Sequence, residues 1–508
     1  MRKEKIIHVV TLLTAVLASV WAGGVAAQNS PAGQPAGAFT MTEAAQLAVL
    51  KNPEVQARWH AFREAEDEVD VGRGGFFPKL DLSAGYGHDK KKQHRVDIDD
   101  SYHGNEATLT LRQMLFDGFA TSNEVKRLGK AKLVRYFELL DASENAALEA
   151  SRAYLDIIRY REIVDLAEEN YLQHYTAHEQ LQRRAASGVG KRVDVNQAGS
   201  RLALADVNLT TAYANLHDVS ARYLRIVGEE PPKTLGTPER VTKALPDNVE
   251  KALDVGLNQN PALRASIENI EAAQYDLEGR RAAFMPRLDL VARRDNYSNY
   301  EDNGSRDDTR VELRLNYNLF NGGSDIARMR QYRERKDIAL DQREKACRDM
   351  RQTLSIAYND TQRLNDQLSH LATQVELVRK TRAAYLDQFN LGQRTLLDLL
   401  NTQNEYFDAR RAHVNADVDL SLAYLRSYAG MGRLLEVLGL KHIELEKAPS
   451  SSDFAAVDPQ QMCPPLEPVD TTLNRQALMR KAREMADKAV GPLGTRPRNA
   501  APEETLSR

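Results

Sequence analysis

The chain carries an internal duplication that can be checked residue by residue, and only a fold that repeats can accommodate it. Asn52-Pro53 recurs as Asn260-Pro261, and Pro78-Lys79-Leu80-Asp81-Leu82 recurs as Pro286-Arg287-Leu288-Asp289-Leu290, both 208 residues on. Leu115-Phe116-Asp117-Gly118 returns as Leu319-Phe320-Asn321-Gly322 at a spacing of 204. Tyr154 with Tyr358, Gly188 with Gly392 and Asp194 with Asp398 keep that spacing. Ala212-Tyr213 then aligns with Ala423-Tyr424 at 211, which predicts a heptad gained by the second copy after Asp398. Seven residues is the insertion that a packed helix absorbs without rotating its apolar seam. A repeat of this length sets the architecture before local propensity does.

Arg2, Lys3 and Lys5 precede an apolar run from Ile6 to Val20, and Val25-Ala26-Ala27 offers small residues for cleavage before Gln28. Residues 1–27 therefore read as a secretory signal peptide and 28–40 as a flexible N-terminus. The first repeat is expected over 41–230, a linker over 231–246, the second repeat over 247–440 and a tail over 441–508. No later stretch approaches the ~18 apolar residues of a spanning helix. An exported chain of this kind that crosses a membrane must do so as strands. The formal charge of −3 becomes −5 once the basic leader is removed, so electrostatics makes no case for a nucleic-acid partner. Cys347 and Cys463 are the only cysteines. An oxidising compartment permits a disulfide, but two such positions do not establish one.

Proline marks the layout. None occurs between Pro78 and Pro231 or between Pro286 and Pro449. Ser324 to Leu391 contains neither Gly nor Pro, and Ala120 to Ser187 contains only Gly129. Each run can be one continuous helix, on the order of 100 Å long, and a helix of that length needs partners along its whole extent. Ala147, Leu148, Ala150, Tyr154, Leu155 and Ile158 recur at three- and four-residue steps, as such packing requires. After Gly188 and Gly392 a second helix returns, predicted over Val193 to Val227 and Leu396 to Leu438. Each copy is thus a long helical hairpin with a tight tip.

Between Pro78 and Gly118 the period changes. Leu80, Leu82, Ala84 and Tyr86 alternate with Asp81, Ser83, Gly85 and Gly87, and the run from Arg310 to Leu319 alternates polar and apolar throughout. That is a strand with one oily and one wet face. Leu109 and Leu111 give a shorter version, and Arg293-Arg294-Asp295 interrupts the segment after Pro286. Two hairpins follow, with polar loops expected near Lys90 to Gly104 and Asn299 to Asp308. Four strands cannot close a barrel and leave exposed edges. Two copies of the chain give the minimum closed barrel, and three give one with a water-filled centre. The alternative is a soluble hairpin pair packed on a periplasmic coiled-coil scaffold, with Arg310, Glu312 and Arg314 as a solvated face.

Across Thr42 to Leu440 these features resemble the TolC family of outer-membrane efflux and secretion channels. The paired Asn-Pro motifs, the Pro-Lys/Arg-Leu-Asp-Leu strand starts and the Leu-Phe-Asp/Asn-Gly junctions carry the resemblance. So does the second tip, Gly392-Gln393-Arg394-Thr395-Leu396-Leu397-Asp398-Leu399-Leu400. The segment Leu115 to Thr121 looks most like members serving type I secretion, including exporters of large adhesins; small-molecule efflux is the alternative. The resemblance implies a mainly α fold with a small β part: coiled-coil hairpins in two tandem repeats, plus four transmembrane strands contributing to a trimeric twelve-stranded barrel. It implies a homotrimer embedded in outer-membrane lipid with a long periplasmic tunnel. A periplasmic adaptor and an inner-membrane ABC exporter or proton-driven pump would meet it at the tips, where Gly188, Val189, Gly190, Lys191, Gly392, Gln393, Arg394 and Thr395 form the contact set.

By the same resemblance Asp398 rings the constricted entrance, Asp194 helps latch it, and Arg394 ties neighbouring tip helices through that acid. Phe389 replaces a familiar gate tyrosine, which removes a hydroxyl bond. Asn401 replaces a second acidic ring, which weakens cation block. Without the resemblance, both acids are explained by their place in the first turn of a helix, where a carboxylate suits the macrodipole.

No catalytic constellation, metal site or cofactor site emerges. Gly188-Val189-Gly190-Lys191-Arg192 lacks the leading glycine and the Ser or Thr of a phosphate loop. His174 and His178 have helix-borne ligand spacing but no third ligand, and read as a solvated helix face. His88, His94 and His103 sit in an expected surface loop with nothing to fix a geometry. The tail from Pro449 reads as flexible linker, Ser450-Ser451-Ser452 included, with one short helix near Thr472 to Ala489.

Overall fold

The computed structural model describes residues 39–490 apart from 94–97, 243–244, 301–303, 446–447, 456–462 and 464–473. The expected signal peptide and all but the last two residues of the segment expected to be a flexible N-terminus therefore lie outside the described residues, as does most of the expected tail linker. The chain divides into two units, Met1–Ala456 and Val457–Arg508. In the first, helices α1 (Met41–Lys51) and α2 (Pro53–Arg73) lead into strands β1 (Lys79–Gln93) and β2 (Ile98–Phe116). A long helix α3 (Ala120–Ala186) and its return α4 (Arg192–Val227) follow. The series then repeats as α5 (Val249–Gln259), α6 (Pro261–Arg280), β3 (Arg287–Tyr300), β4 (Gly304–Asn316), α7 (Ser324–Asn390) and α8 (Leu396–Met431), closed by a one-turn helix α9 (Leu434–Val437). The strands extend well into the expected polar loops, because cross-strand pairing runs on to Gln93 with Ile98 and to Tyr300 with Gly304.

Both long helices span 67 residues and both returns span 36. Gly228 and Gly432 end the returns with φ of 88° and 72°, so the spacing of 204 holds to the last turn. The expected heptad gain is wrong: the match of Ala212-Tyr213 to Ala423-Tyr424 joins two common residue pairs at non-equivalent positions. What the second copy lost lies in its strands, of 14 and 13 residues against 15 and 19. The second return also stops at Met431 rather than Leu438. Gly432 takes the left-handed conformation there, and a Cβ on it would meet the Gln259 carbonyl oxygen at 2.7 Å.

The duplicated Asn-Pro pairs do the same work twice. Asn52 and Asn260 cap α2 and α6, accepting from the amides of Glu54 (2.9 Å) and Leu263 (3.0 Å), with proline at the first helical position. Their side-chain amides then donate to the carbonyls of Ile226 (3.1 Å) and Gly430 (3.0 Å), which ties each inner helix to the end of its own return helix. Tyr154 and Tyr358 reach the linker in parallel: Tyr154 donates to Gly236 O at 2.6 Å and Tyr358 to Pro246 O at 2.9 Å. The α3 helix is the spine of the fold, packed by α1, α2, α4, α6, α8 and α9. Ala147, Ala150, Tyr154 and Leu155 on it are buried, as their spacing predicts.

Glu144, buried on α3, accepts from the amides of Leu434 (2.9 Å) and Leu435 (3.3 Å) at the start of α9. Burial pushes its carboxyl up to about 7 against the pull of those two donors. Further on, the serines expected to be flexible form a capped turn, Ser450 to Asp453, and the chain folds back along α3. Phe454 packs on Phe137 (4.9 Å between centroids), and the Ala455 amide donates to Glu268 (2.6 Å), itself paired with Lys130 at 2.9 Å. In the second unit the short helix falls at α10 (Arg475–Val490), close to its expected place. Among the described residues neither cysteine is a free thiol.

These ties can be tested by substitution. Asn260→Ala removes a cap and a cross-helix bond, and the cap alone costs about 1 kcal/mol, read as a lower thermal midpoint of the detergent-solubilised protein. For Glu144 the folded carboxyl titrates at about 7 against an ordinary 4.5, so the folded state binds the extra proton and stability falls as pH rises between those values. Glu144→Gln flattens that fall in a series of melts across the same window.

Candidate pore-forming sheet and helical tip

The four strands form one antiparallel sheet in the order β1-β2-β3-β4, so the two copies join at β2 and β3 while β1 and β4 have open edges. The register lines up one oily row, Leu80, Leu111, Ala292 and Val311, with Leu82 and Leu109 beyond it and Leu290 and Leu313 before it. This face is turned out of the chain: Leu80, Leu82, Val311, Leu313 and Leu315 are 64 to 73% exposed. The opposite face carries charge in pairs two residues apart, which one strand face brings together. Arg287 meets Asp289 at 3.0 Å, Arg293 meets Asp295 at 2.6 Å, Arg306 meets Asp308 at 2.7 Å, and Arg314 pairs with Glu312. The Arg293-Arg294-Asp295 run therefore does not interrupt β3, since two of its charges neutralise each other on the wet face and Asp295 also accepts from Thr108 (2.7 Å). Strand gives way to helix through Gly118 and Phe119, both at positive φ, and through Gly322 and Gly323 in the second copy. A Cβ on Gly118 would meet Met285 and Ala282 within 3.0 Å, so the turn requires glycine.

At the other end of the hairpins, Gly188 and Gly392 adopt φ of 77° and 75° and turn the chain between helices. Val189 and Gly190 donate to the Arg184 carbonyl, and Gln393 donates to that of Gln388, which closes the two tips alike. Gly188, Val189, Lys191, Gly392, Gln393, Arg394 and Thr395 are exposed and Gly190 is half-buried. Thr395 caps α8, accepting from the Asp398 amide (3.3 Å), and donates to the Asp398 carboxylate (2.9 Å). Asp194 and Asp398 both occupy the first turn of their helices.

Within one chain, Arg394 meets Asp398 at 3.7 Å and donates to Gln388 at 3.0 Å; among the described residues it forms no ion pair with Asp194. Its guanidinium lies 4.2 Å from the Tyr385 ring, one turn before Phe389, and Phe389 receives Arg184 at 5.8 Å. Asn401 accepts from Arg201 at 2.9 Å. Tyr385, Gln388, Arg184 and Arg201 were missed in the sequence. The i, i+4 step from Tyr385 to Phe389 was the available signal for the first of them.

No group of acids, histidines and cysteines that could hold a metal ion occurs among the described residues. His174 is not on a solvated face: it is 1% exposed and bonds Asn404 Oδ1 at 2.8 Å, because α8 covers that side of α3. His88 and His103 face one another across paired strands, 4.6 Å between centroids, rather than in a loop; His94 lies outside the described residues.

An outward apolar band, an inward charged face and paired helical hairpins below them define a membrane channel that crosses lipid as strands. No described helix is long and apolar enough to cross a membrane. The chain belongs to the outer membrane efflux protein family, whose model matches residues 44–229 and 252–433. It is 25% identical over 412 residues to the outer membrane efflux protein BepC of Brucella suis, covering 80% of this chain and 89% of that one. It is also 25% identical to the proteases secretion protein PrtF of Dickeya chrysanthemi, covering 75% and 86%. The crystal structure of the Campylobacter jejuni CmeC outer membrane channel shares the fold, with a TM-score of 0.71 at 14% identity over 78% of this chain and 86% of that one. The protein is an outer-membrane efflux or secretion channel and not an enzyme, which sets aside the soluble scaffold.

The face assignment is checked by two substitutions on one strand. Leu313→Arg places a cation in lipid and costs about 2–4 kcal/mol near the bilayer midplane, read as loss of protein from the outer-membrane fraction. Glu312→Gln on the wet face leaves that fraction near its wild-type level.

Proposed function

We propose that three copies pair β4 of one chain with β1 of the next into a single twelve-stranded barrel, whose helices continue as a periplasmic tunnel. The observation that carries this reading is the four-stranded sheet with an exposed apolar face and two open edges. In lipid every unpaired backbone group on such an edge is costly, and closure through further copies removes the edge. The exposed apolar positions along the hairpins, such as Val207 and Leu224 on α4 and Ile338 and Ile356 on α7, supply faces for the same copies to share.

The tips form the gate and the docking surface. Arg394, poised over Tyr385 beside Asp398, reaches across to Asp194 of a neighbouring hairpin, and Asp398 rings the entrance. Phe389 supplies no hydroxyl to this latch. Asn401, held by Arg201, adds no charge to the ring. Gly188 to Lys191 and Gly392 to Thr395 receive a periplasmic adaptor, which couples the duct to an inner-membrane ABC exporter or proton-driven pump.

The cargo is a secreted protein of the type I route, a large adhesin among the candidates. The junction Leu115 to Thr121 and the similarity to PrtF support this reading. The similarity to BepC favours efflux as the second one. A deletion strain separates them: loss of a large exported protein from the medium or cell surface supports secretion, and hypersensitivity to small toxic compounds with secretion intact supports efflux. For the latch, Arg394→Ala raises the conductance of the purified trimer in planar bilayers several-fold. An unchanged conductance overturns it.

A further inference from the structure

A polar layer interrupts the seam between the two copies, and neither the channel reading nor the latch uses it. On one side lies an apolar cluster that includes Val164, Ala167, Ala212 and Phe407. On the other lies the tip cluster of Ala177, Leu181, Ala198 and Leu400. Between them α3 carries Asn170 and His174, one turn apart and each 1% exposed, and His174 meets Asn404 of α8. His174 Nε2 and Asn404 Oδ1 are 2.8 Å apart. His174 Nδ1, Asn404 Nδ2 and both polar atoms of the Asn170 amide are buried with no hydrogen-bond partner in the protein. Four such atoms at one level, set between two apolar clusters, weaken the seam there and call for buried water.

The layer falls where the tip would have to come apart. Beyond it, the contact of α8 with α3 and α4 rests on the small tip cluster and on the Arg201–Asn401 hydrogen bond, in the turns next to Thr395 and Asp398. We infer that this layer is a hydrated joint at which the tip end of α8 separates from α3 and α4, and that protonation of His174 drives the separation. The inference rests on the proposed reading of the tips as a gate.

The surroundings set the direction of the response. Burial holds the imidazole below its usual 6.5, against the bond to Asn404, and the charge of Arg201 on α4 adds to the lowering. From α8 the partner is the neutral Asn404. Glu169, five residues before His174 on α3, pairs with Arg382 of α7 at 3.5 Å, and Arg382 also donates to Gln403 at 3.1 Å. In the closed joint the ring is therefore neutral at neutral pH, and in the separated joint it titrates in water near 6.5. A depressed histidine stabilises the closed form fully above its unperturbed value. That stabilisation is lost as pH falls below 6.5 toward the lowered value, so acid opens the joint.

The test is the conductance of the purified full-length protein in planar bilayers, between about pH 7.5 and about pH 5. Wild type gains conductance several-fold and reversibly on acidification, and His174→Gln, which keeps a hydrogen-bonding side chain but cannot titrate, loses the gain. Arg201→Gln removes the neighbouring cation and moves the midpoint to higher pH, which reads the same joint should the first variant not assemble. The paired change Asn170→Leu with Asn404→Leu replaces the layer by apolar packing and lowers conductance at both ends of the range. A wild type indifferent to pH, or a His174→Gln variant that keeps the acid gain, overturns the joint while leaving the channel standing. A protein that forms no pore at any pH overturns both.

Discussion

Everything in this molecule follows from the need to pair backbone N–H and C=O groups where no water can reach them. A helix would satisfy them within itself, but no described helix is apolar enough to enter lipid. The strands are, on one face only, and a single chain supplies four. Because β1 and β4 end the sheet, the chain is incomplete in a membrane. Its chemistry is correspondingly spare: an oily band outside and Arg–Asp and Arg–Glu pairs on the opposite face.

The long hairpins are held by a few polar ties rather than by one thick core. Asn52 and Asn260 each cap one helix and hold the end of another, and Tyr154 and Tyr358 pin the linkers. Glu144 joins the spine of the first copy to the end of the second. These ties lie away from the tips, where the hairpins depend on a small apolar cluster, the layer at His174 and a few more exposed polar pairs such as Arg201 with Asn401 and Arg382 with Glu169. That distribution suits the gate proposed for the tips, since local opening draws on the contacts that are weakest.

Much of this was legible in the residue order, for identifiable reasons. The proline-free runs gave the long helices, and the alternation in Arg310 to Leu315 gave the face of β4. The positive-φ glycines at 188 and 392 gave the turns. The errors are equally specific. A chance Ala-Tyr match suggested a heptad that the equal helix lengths and the Gly228–Gly432 caps exclude. Polar loops were placed at Lys90 and Asn299 because composition cannot see cross-strand pairing. His174 looked solvated because its neighbours on α3 are polar, whereas the helix that covers it begins more than two hundred residues later.

The sequence by itself determined the two copies, their elements and the amphipathic strands, because these depend on periodicity and on residues that only one backbone conformation accepts. Tertiary structure alone decided which polar groups meet. The union of the copies at β2 and β3, the pairing of Arg394 with Asp398 and Tyr385, the Glu144 contact with α9 and the buried layer at His174 all join residues through space. Such contacts depend on how helices and strands from distant parts of the chain rotate and register against one another, and no local pattern encodes that.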